Sequence, residues 1–263
     1  MQVAFLNGIH IHYKRQDRPA APVVVFVNSL GSDLRIWERV VEGLGDTVQS
    51  ICYDKRGHGL SDAPAPPYTM NDHVNDLEAV LASLEVKRAL ICGISVGGMI
   101  ALGLSAAKPE LVRGLVLCDT AHRIGSDDLW NQRIAQVEQH GMGSIADGVI
   151  ERWFTEGFRR TRTREVAGWR NMLLRTPAAG YAGTCAALRD ADLTGAARGV
   201  ACPTQCLCGA EDLATPPALV QSMAELIPAA RYRSIDGAGH LPCIEAPGKI
   251  VAAITETLER SAS

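Results

Sequence analysis

Short apolar runs, separated by amphipathic segments, divide most of this chain into candidate strands and helices. Residues 23–27 are continuously apolar, which is typical of a strand buried on both faces of a sheet. Residues 2–14 instead alternate polar and apolar positions around Asn7-Gly8, the strongest short signal for a β-hairpin. Further buried strands are predicted at residues 48–53, 89–92, 115–118, 204–208 and 232–235.

Helical spacing fills the segments between these runs. Thr69 with Asp72 resembles a helix start, and Val74, Leu77 and Leu81 follow at intervals of three or four residues. Strands that alternate with helices predict βαβ units, and hence a mostly parallel sheet with helices on both faces.

This alternation stops in the middle of the chain. Between residues 121 and 199 no buried-strand pattern occurs, and segments such as 145–153 and 166–174 have helical spacing. The alternation of strands and helices resumes afterwards. We therefore predict an α/β core, residues 1–120 and 200–263, interrupted by a helical cap, residues 121–199.

Composition argues against several classes of protein. The 263 residues carry a formal net charge of −3, whereas nucleic-acid binding selects a basic face. The longest apolar stretch, near residues 97–107, is shorter than the ~20 residues of a membrane span, and residues 1–13 lack a signal-peptide core. Five of the eight cysteines lie in strand-like apolar runs, where free cysteine acts as a small hydrophobe. We expect reduced thiols and a cytoplasmic protein that binds neither nucleic acid nor membrane.

A glycine-flanked serine lies between a predicted strand and a helix of small residues. The segment Gly93-Ile-Ser-Val-Gly97 has the G-x-S-x-G pattern of a nucleophile elbow, in the strand–turn–helix setting that this pattern requires. Such a turn lifts the serine Oγ above the sheet edge and places it at a helix N-terminus, where developing negative charge is favoured. Ser95 is therefore the predicted nucleophile.

The predicted partners of Ser95 lie near the C-terminus, because the chain order of this arrangement is Ser, Asp or Glu, then His. Of the seven histidines, only His240 follows the last predicted strand, and it is the predicted base. The acid should follow the preceding strand. Asp212 fits there and would orient the imidazole. Two alternatives stay open: the neighbouring Glu211, and Asp119 at the end of an earlier core strand.

Other histidines have plainer interpretations. His58 lies in Arg56-Gly-His-Gly59 and is expected to fix that turn. His73, His122 and His140 are expected at surface or helix-cap positions.

An oxyanion hole needs two backbone N–H donors. One is expected from Val96, directly after the nucleophile. The other should come from the turn after the first buried strand, Asn28-Ser-Leu-Gly31, where we choose the N–H of Leu30. Losing one such donor typically costs about 2.7–4 kcal/mol, so this turn should matter as much as many side chains. Ser29 is a less favoured nucleophile because its turn has no elbow pattern.

Several longer motifs extend beyond these candidate residues. In chain order they are Asn28-Ser-Leu-Gly, Tyr53-Asp-Lys-Arg-Gly-His-Gly-Leu-Ser-Asp62, Cys92-Gly-Ile-Ser-Val-Gly-Gly-Met99, Leu117-Cys-Asp-Thr120, Trp169-Arg-Asn-Met-Leu-Leu-Arg-Thr-Pro177 and Gly237-Ala-Gly-His-Leu-Pro242. Together they resemble bacterial 3-oxoadipate enol-lactonases, which have the α/β-hydrolase fold. The cap segments Glu151-Arg-Trp-Phe-Thr155 and Ala187-Leu-Arg-Asp-Ala-Asp-Leu193 make the resemblance narrower than the elbow alone would. One departure is Val96, where relatives are expected to carry methionine.

The resemblance implies an activity: opening of the enol-lactone ring to give 3-oxoadipate in the β-ketoadipate pathway of aromatic catabolism. Ser95 would attack the lactone carbonyl, and water activated by His240 would release the acyl group. This chemistry requires no metal and no organic cofactor, and the partner would be a small anionic lactone. Two alternatives remain: a C–C-bond hydrolase or general carboxylesterase of the same fold, and a non-enzymatic ligand receptor on a hydrolase scaffold.

The predicted cap has an unusual charge distribution. It contains 11 of the 21 arginines and none of the 5 lysines, and its net charge is +2 while the remainder of the chain is −5. Arginine can bind a carboxylate through two hydrogen bonds, and the implied lactone carries a carboxylate. Most of these arginines are expected on solvated helix faces. Arg133 and Arg152 are the predicted substrate ligands because the aromatics Trp130 and Trp153, also candidates for substrate contact, lie close to them in sequence.

Overall fold

The computed structural model describes residues 1–261, and these residues form one eight-stranded sheet. In chain order the strands are β1 (Gln2–Leu6), β2 (Ile9–Gln16), β3 (Val23–Val27), β4 (Gln49–Tyr53), β5 (Ala89–Ile94), β6 (Val112–Cys118), β7 (Thr204–Gly209) and β8 (Arg231–Ile235). Their order in space is β1-β2-β4-β3-β5-β6-β7-β8. The predicted hairpin β1–β2 is antiparallel, β2 is antiparallel to β4, and the remaining pairs are parallel. The predicted mostly parallel sheet is confirmed.

The central strands are buried because they are apolar on both faces. Val25 of β3 is fully buried and pairs with Ile51 of β4 on one side and Ile91 of β5 on the other. Fully burying a side chain of this size stabilises the fold by about 1.5–3 kcal/mol. The strands β4, β3, β5 and β6 therefore form the buried centre of the sheet. The loops that follow these strands project from its carboxyl edge.

Helices cover the sheet. Within residues 1–261 they are α1 (Glu38–Leu44), α2 (Met70–Ser83), α3 (Val96–Ala107), α4 (Asp127–His140), α5 (Ala146–Trp153), α6 (Glu156–Thr161), α7 (Thr163–Leu174), α8 (Ala178–Asp190), α9 (Thr194–Arg198), α10 (Pro217–Leu226), α11 (Pro242–Glu245) and α12 (Pro247–Arg260). Among the core helices, α2 packs against α3, and α1 packs against α12.

Helix α2 begins where the sequence predicts. The Thr69 Oγ accepts a hydrogen bond from the Asp72 N–H at 3.1 Å, and the Asp72 carboxylate accepts one from the Thr69 N–H at 2.7 Å. This reciprocal pair is a capping box, which satisfies two backbone donors at the helix N-terminus. Helix α3 can pack closely against α2 because it carries a glycine at the contact. A Cβ at Gly103 of α3 would lie 2.6 Å from the Val74 side chain of α2.

Six helices, α4 to α9, lie between β6 and β7. Residues 121–199 contain no strand, as their hydrophobic pattern predicts, and the structure describes all of them. Within this segment α4 packs against α8, and α5 packs against α7. We refer to residues 121–199 as the helical insertion.

Strands β5 and β6 are longer than their hydrophobic patterns predict. β6 begins at Val112, three residues before the predicted start, and Val112 pairs with Ala89 across a register shift between Ala89 and Leu90. β5 continues to Ile94, immediately before Ser95. Strand pairing overrides the break that Arg113 and Gly114 make in the apolar run.

Composition led us to expect reduced thiols and no membrane span, and the structure gives observations on both. All eight cysteines carry free thiols, and all except Cys202 are buried. They therefore act as small apolar side chains of the core. No helix within residues 1–261 is both long enough and apolar enough to cross a membrane.

Candidate active site

Ser95 lies on a strained turn between β5 and α3. Its φ of 58° and ψ of −125° are in a region that non-glycine residues rarely adopt. The backbone is held there by two hydrogen bonds, one from the Ser95 N–H to the Cys118 carbonyl at 3.0 Å and one from the Thr120 hydroxyl to the Ser95 carbonyl at 2.6 Å. The predicted elbow conformation is therefore present, with Ser95 as the residue that precedes α3.

The two glycines of the elbow allow the backbones to approach closely. A Cβ at Gly93 would lie 2.3 Å from the carbonyl oxygen of Gly97. A Cβ at Gly97 would lie 2.1 Å from the carbonyl oxygen of Val27, at the end of β3. Contacts this short do not occur in folded proteins, so only glycine fits at these two positions. The G-x-S-x-G pattern is thus required by the packing of the turn against α3 and against the neighbouring strand β3.

His240 and Asp212 are joined by a short hydrogen bond at the same edge of the sheet. The His240 Nδ1 lies 2.9 Å from Asp212 Oδ2, and both side chains are buried. Asp212 also accepts from the Thr215 hydroxyl at 2.6 Å and from the N–H groups of Ala214 and Thr215 at 2.7 and 3.1 Å. Burial acts to raise the pKa of Asp212, but the His240 ring and these donors hold it below its ordinary value. The carboxylate is thus ionised and fixes the imidazole orientation.

The two alternative acids lie in different surroundings. Glu211 is exposed. Asp119 is fully buried, and its Oδ1 accepts a hydrogen bond from the Gly209 N–H at 2.8 Å. Burial, and next the charge of Asp212, raise the pKa of Asp119 well above its ordinary value. Of the three candidate acids, Asp212 is the one hydrogen-bonded to the His240 ring.

The turn at residues 28–31 is held by buried polar side chains. The Lys55 Nζ donates to the Ser29 carbonyl at 2.6 Å, and the His58 Nε2 accepts from the Gly31 N–H at 2.9 Å. The N–H groups of Leu30 and Val96 have no acceptor in the described part of the chain. Two unpaired backbone donors close to Ser95 are what an oxyanion site requires.

Ser95 and His240 open onto one cavity, which we call the central cavity. Its empty volume is about 640 Å³, and its walls include all four predicted substrate-contact residues of the helical insertion, Trp130, Arg133, Arg152 and Trp153, together with Leu30. No hydrogen bond joins the side chains of Ser95 and His240 among the described residues. In unliganded enzymes such catalytic contacts are often long and shorten only around the substrate.

The two arginines of the central cavity differ in their partners. Arg133 is half-buried and donates to the Tyr181 hydroxyl at 3.2 Å. Arg152 is exposed, and no acidic or polar partner for its guanidinium is found within residues 1–261. Both arginines also line an adjoining surface pocket. They therefore present positive charge along one side of the central cavity.

Sequence reasoning missed two polar residues of this cavity. Tyr181 is buried on α8 and contacts both Arg133 and the 28–31 turn, since a Cβ at Gly31 would lie 3.1 Å from its ring. Thr215 donates to Asp212 and lies 3.4 Å from the His240 Nδ1. Thr215 could have been found from its place in the loop after Asp212, whereas nothing in the α8 sequence distinguishes Tyr181 from a core aromatic.

Two histidine expectations have different outcomes. The expectation that His58 fixes its own turn agrees with its Nδ1, which lies 3.1 Å from the Arg56 carbonyl, and its Nε2 also accepts a hydrogen bond from Gly31 of the neighbouring turn. The surface position expected for His73 is wrong. Its side chain is buried, and its ring lies 5.9 Å from the Tyr68 ring in an edge-on arrangement. Helix periodicity explains this, because His73 precedes Val74 and Leu77 on the buried side of α2.

One cluster has the spacing of metal ligands. Ligand atoms of Asp119, Cys208 and Asp212 lie within 4.8 Å of one another, and all three residues are buried. The Asp212 oxygens are already occupied by four donors, and burial raises the pKa of the Cys208 thiol. Metal ligation needs a thiolate. The donor set therefore fits a hydrogen-bonded Asp212 carboxylate beside a buried Asp119 carboxyl better than a cation site.

Comparison with known proteins gives matches over nearly the whole chain. The profile of the family described as "Alpha/beta hydrolase family" matches residues 24–254. The 3-oxoadipate enol-lactonases 2 and 1 of Acinetobacter baylyi are each 32% identical, the first over 97% of this chain and 95% of its own length, the second over 88% and 86%. The crystal structure of the enol-lactonase from Burkholderia xenovorans LB400 aligns with a TM-score of 0.95 at 34% identity, covering 98% of this chain and 100% of that one. The similarity therefore includes the helical insertion as well as the sheet.

Proposed function

The chain belongs to the alpha/beta hydrolase family, and we propose that it is a serine hydrolase that opens the lactone ring of 3-oxoadipate enol-lactone. The observation that carries this proposal is the central cavity, where Ser95 and His240 share one space with Arg133 and Arg152. A nucleophile and its base suit an ester carbonyl, and the arginines suit a carboxylate on the same small molecule. The 32% identity with two 3-oxoadipate enol-lactonases supports the same substrate.

Attack by Ser95 is the first proposed step. The Asp212 carboxylate accepts from His240 Nδ1, so the other ring nitrogen, Nε2, is free to take the proton of the Ser95 hydroxyl. The Ser95 oxygen bonds to the lactone carbonyl carbon, and the carbonyl oxygen becomes negatively charged. The ionised state of Asp212 supports this step because it stabilises the imidazolium that forms.

The negative charge of the tetrahedral intermediate needs donors that are already in place. We assign this role to the N–H groups of Leu30 and Val96. Val96 begins α3, so the helix dipole adds favourable potential at this point. The fixed 28–31 turn supports the assignment, since a donor that need not reorganise stabilises the transition state more effectively.

Collapse of the intermediate breaks the bond between the acyl carbon and the ring oxygen. The leaving oxygen departs as an enolate, which takes up a proton on carbon and becomes the ketone of 3-oxoadipate. A resonance-stabilised leaving group makes little demand on protonation by His240. The imidazolium passes the proton that it took from Ser95 to the enolate carbon, directly or through solvent, and is neutral again. His240 then deprotonates water, which attacks the acyl-Ser95 ester, and it returns that proton to the departing Ser95 oxygen as the second carboxylate is released.

The helical insertion acts in this proposal as a cap over the core, residues 1–120 and 200–263. Trp130 and Trp153 form apolar walls, and the Trp130 indole N–H is held by the Ile124 carbonyl at 2.6 Å. Arg133 and Arg152 bind the substrate carboxylate. The steps use no metal or organic cofactor. Free, mostly buried thiols favour the reducing cytoplasm as its place of action.

A substrate panel tests the proposal. Purified protein is assayed with the enol-lactone, p-nitrophenyl acetate and a vinylogous dienone, and Ser95→Ala is assayed beside it. We expect the enol-lactone to have the highest kcat/KM and Ser95→Ala to lose turnover while it still binds the lactone. Hydrolysis of the aryl ester with no lactone turnover would indicate a general esterase instead. Lactone binding with no turnover by the wild-type chain would indicate a receptor.

A further inference from the structure

A single carboxylate joins the loop that carries His240 to the helical insertion. Glu245, at the end of α11, accepts a hydrogen bond from the Gly239 N–H at 2.7 Å through Oε2. Its other oxygen, Oε1, accepts from the Thr155 N–H at 3.0 Å and from the Thr155 hydroxyl at 2.8 Å. Gly239 directly precedes His240, and Thr155 is the N-cap residue of α6 in the insertion. Glu245 therefore bridges two segments that are distant in sequence.

A second contact lies beside this bridge. The Leu241 N–H donates to the Trp153 carbonyl at 3.2 Å, so both neighbours of His240 are tied to the insertion at residues 153–155. The approach is close, since a Cβ at Gly239 would lie 3.1 Å from the Trp153 oxygen. The Trp153 side chain forms part of the central cavity wall. The position of this wall and the position of His240 are thus fixed by one set of contacts.

The hydrogen-bonding capacity of the Glu245 carboxylate explains its position better than a contribution to stability does. It is partly buried and has no ion-pair partner within residues 1–261, and burial raises the pKa of its carboxyl. An unpaired carboxylate at such a place gains little from its charge. What it does supply is two acceptor oxygens for three donors on two segments. A glutamine would offer one acceptor, and its NH₂ group would face an N–H.

We propose that Glu245 is a positioning residue that couples the placement of the helical insertion to the placement of the His240 imidazole. The inference rests on the proposed roles of His240 as base and of the insertion as cap. Loss of the bridge lets the His240 loop and the Trp153 wall move independently. The base is then less often aligned with Ser95, so kcat falls while the affinity for a small neutral ester is unchanged.

The test uses variants at both ends of the bridge. Glu245→Gln removes one acceptor. Thr155→Val removes the hydroxyl donor, and Thr155→Ser restores it. Thr69→Val is a matched control, because Thr69 is also a helix N-cap residue. Its N–H and hydroxyl likewise donate to one carboxylate, that of Asp72, each at 2.7 Å. For each protein, kcat and KM are measured with p-nitrophenyl acetate and with the enol-lactone, per titrated active site, and Tm is measured by circular dichroism.

We expect kcat for p-nitrophenyl acetate to fall about tenfold to a hundredfold in Glu245→Gln, the size of effect that misplacement of a catalytic group produces. It should fall in Thr155→Val as well, with KM unchanged, and recover in Thr155→Ser. Thr69→Val should lower Tm and keep kcat. If Glu245→Gln and Thr155→Val lower only Tm, as the control does, the coupling is overturned. Absence of lactone turnover in the wild-type chain would contradict the proposed function but leave this comparison intact with the aryl ester.

Discussion

The imidazole of His58 accepts a hydrogen bond from the backbone N–H of Gly31, with 2.9 Å between the two nitrogens. Its Nδ1 lies 3.1 Å from the Arg56 carbonyl, so Nδ1 carries the proton and the ring is neutral. Burial, with the nearby Lys55, lowers the pKa of His58 well below its ordinary value, which favours this neutral state. The side chain thereby fixes the peptide next to the proposed oxyanion donor Leu30.

His58→Ala should therefore lower kcat although the residue is not in the central cavity. The 28–31 turn loses one of its buried supports, and the Leu30 N–H is less well aimed at the oxyanion. Full loss of such a donor costs about 2.7–4 kcal/mol, so a partial loss should reduce kcat by about tenfold or more. Rates are compared at a temperature where circular dichroism shows the variant folded. An unchanged kcat in the folded variant would separate His58 from the oxyanion turn.

The two buried carboxylates near His240 should respond differently to amide substitution. Asp212→Asn replaces an acceptor of the His240 Nδ1 hydrogen bond with a group that can favour the wrong tautomer, and kcat should fall by about 10³–10⁴-fold. Asp119→Asn keeps an oxygen for the Gly209 N–H and should retain most of kcat. Steady-state assays of both variants with the lactone check this. A large loss in Asp119→Asn with a small loss in Asp212→Asn would reverse the assignment of the acid.

Asp119 should also affect stability as a function of pH. Burial and the charge of Asp212 raise its pKa in the folded chain above the unfolded value, so the folded state holds this proton over a range where the unfolded state has lost it. The contribution of Asp119 to wild-type stability therefore falls as pH rises above the unfolded pKa of about 4. Asp119→Asn lacks this proton, so its Tm minus that of the wild type should increase from pH 4 toward neutrality. A difference that does not change with pH would contradict the assignment.

The fold was largely predictable because local pattern and tertiary environment agree. Continuous apolar runs such as β3 become central strands, and the Thr69–Asp72 capping box forms where the sequence indicates it. Element ends were less predictable: β6 starts at Val112 because pairing with β5 extends it past a charged residue. His73 was misplaced because its polarity was given more weight than its place in the helical repeat, four residues before Leu77 on the buried face of α2.

The chemistry of the site was predictable from motifs, but its supports were not. Ser95 follows from the elbow pattern, and the glycines around it allow the close backbone packing of its strained turn. Tyr181 and Glu245 act through contacts with residues 48 and 90 positions away, respectively, and local sequence does not carry such contacts. The arginine content of the helical insertion indicated an anionic ligand. Which arginines reach the cavity of Ser95, Arg133 and Arg152, depends on the fold and not on the local sequence.

Two glycine substitutions should have opposite effects on stability. Gly97→Ala places a Cβ 2.1 Å from the Val27 carbonyl oxygen, and overpacking of this kind typically costs about 1–3 kcal/mol. It should also lower kcat because Val27 leads into the 28–31 turn. Gly168→Ala, within α7 and with no atom near its would-be Cβ, should instead stabilise by about 0.5–1 kcal/mol. Urea unfolding of both variants checks the signs, and a stable, fully active Gly97→Ala would contradict the packing argument.

The arginines of the central cavity should discriminate between anionic and neutral lactones. Arg133→Ala removes a half-buried guanidinium, and a charge-assisted hydrogen bond of this kind is worth about 1.5–3 kcal/mol, so KM for the anionic enol-lactone should rise about tenfold or more. Arg152→Ala should have a smaller effect because Arg152 is exposed. Neither should change KM for a neutral lactone without the carboxylate.

Tyr181→Phe and Arg170→Ala complete this comparison. Tyr181→Phe keeps the ring against Gly31 but frees the Arg133 guanidinium from its 3.2 Å hydrogen bond, so it should raise KM for the anionic lactone less than Arg133→Ala does. Arg170 lies in the same insertion, pairs with Asp147 at 2.7 Å and does not line the central cavity, so Arg170→Ala should leave both substrates unaffected. An equal rise in KM for anionic and neutral lactones in Arg133→Ala would remove Arg133 from carboxylate binding, since only a general change in the cavity wall affects both.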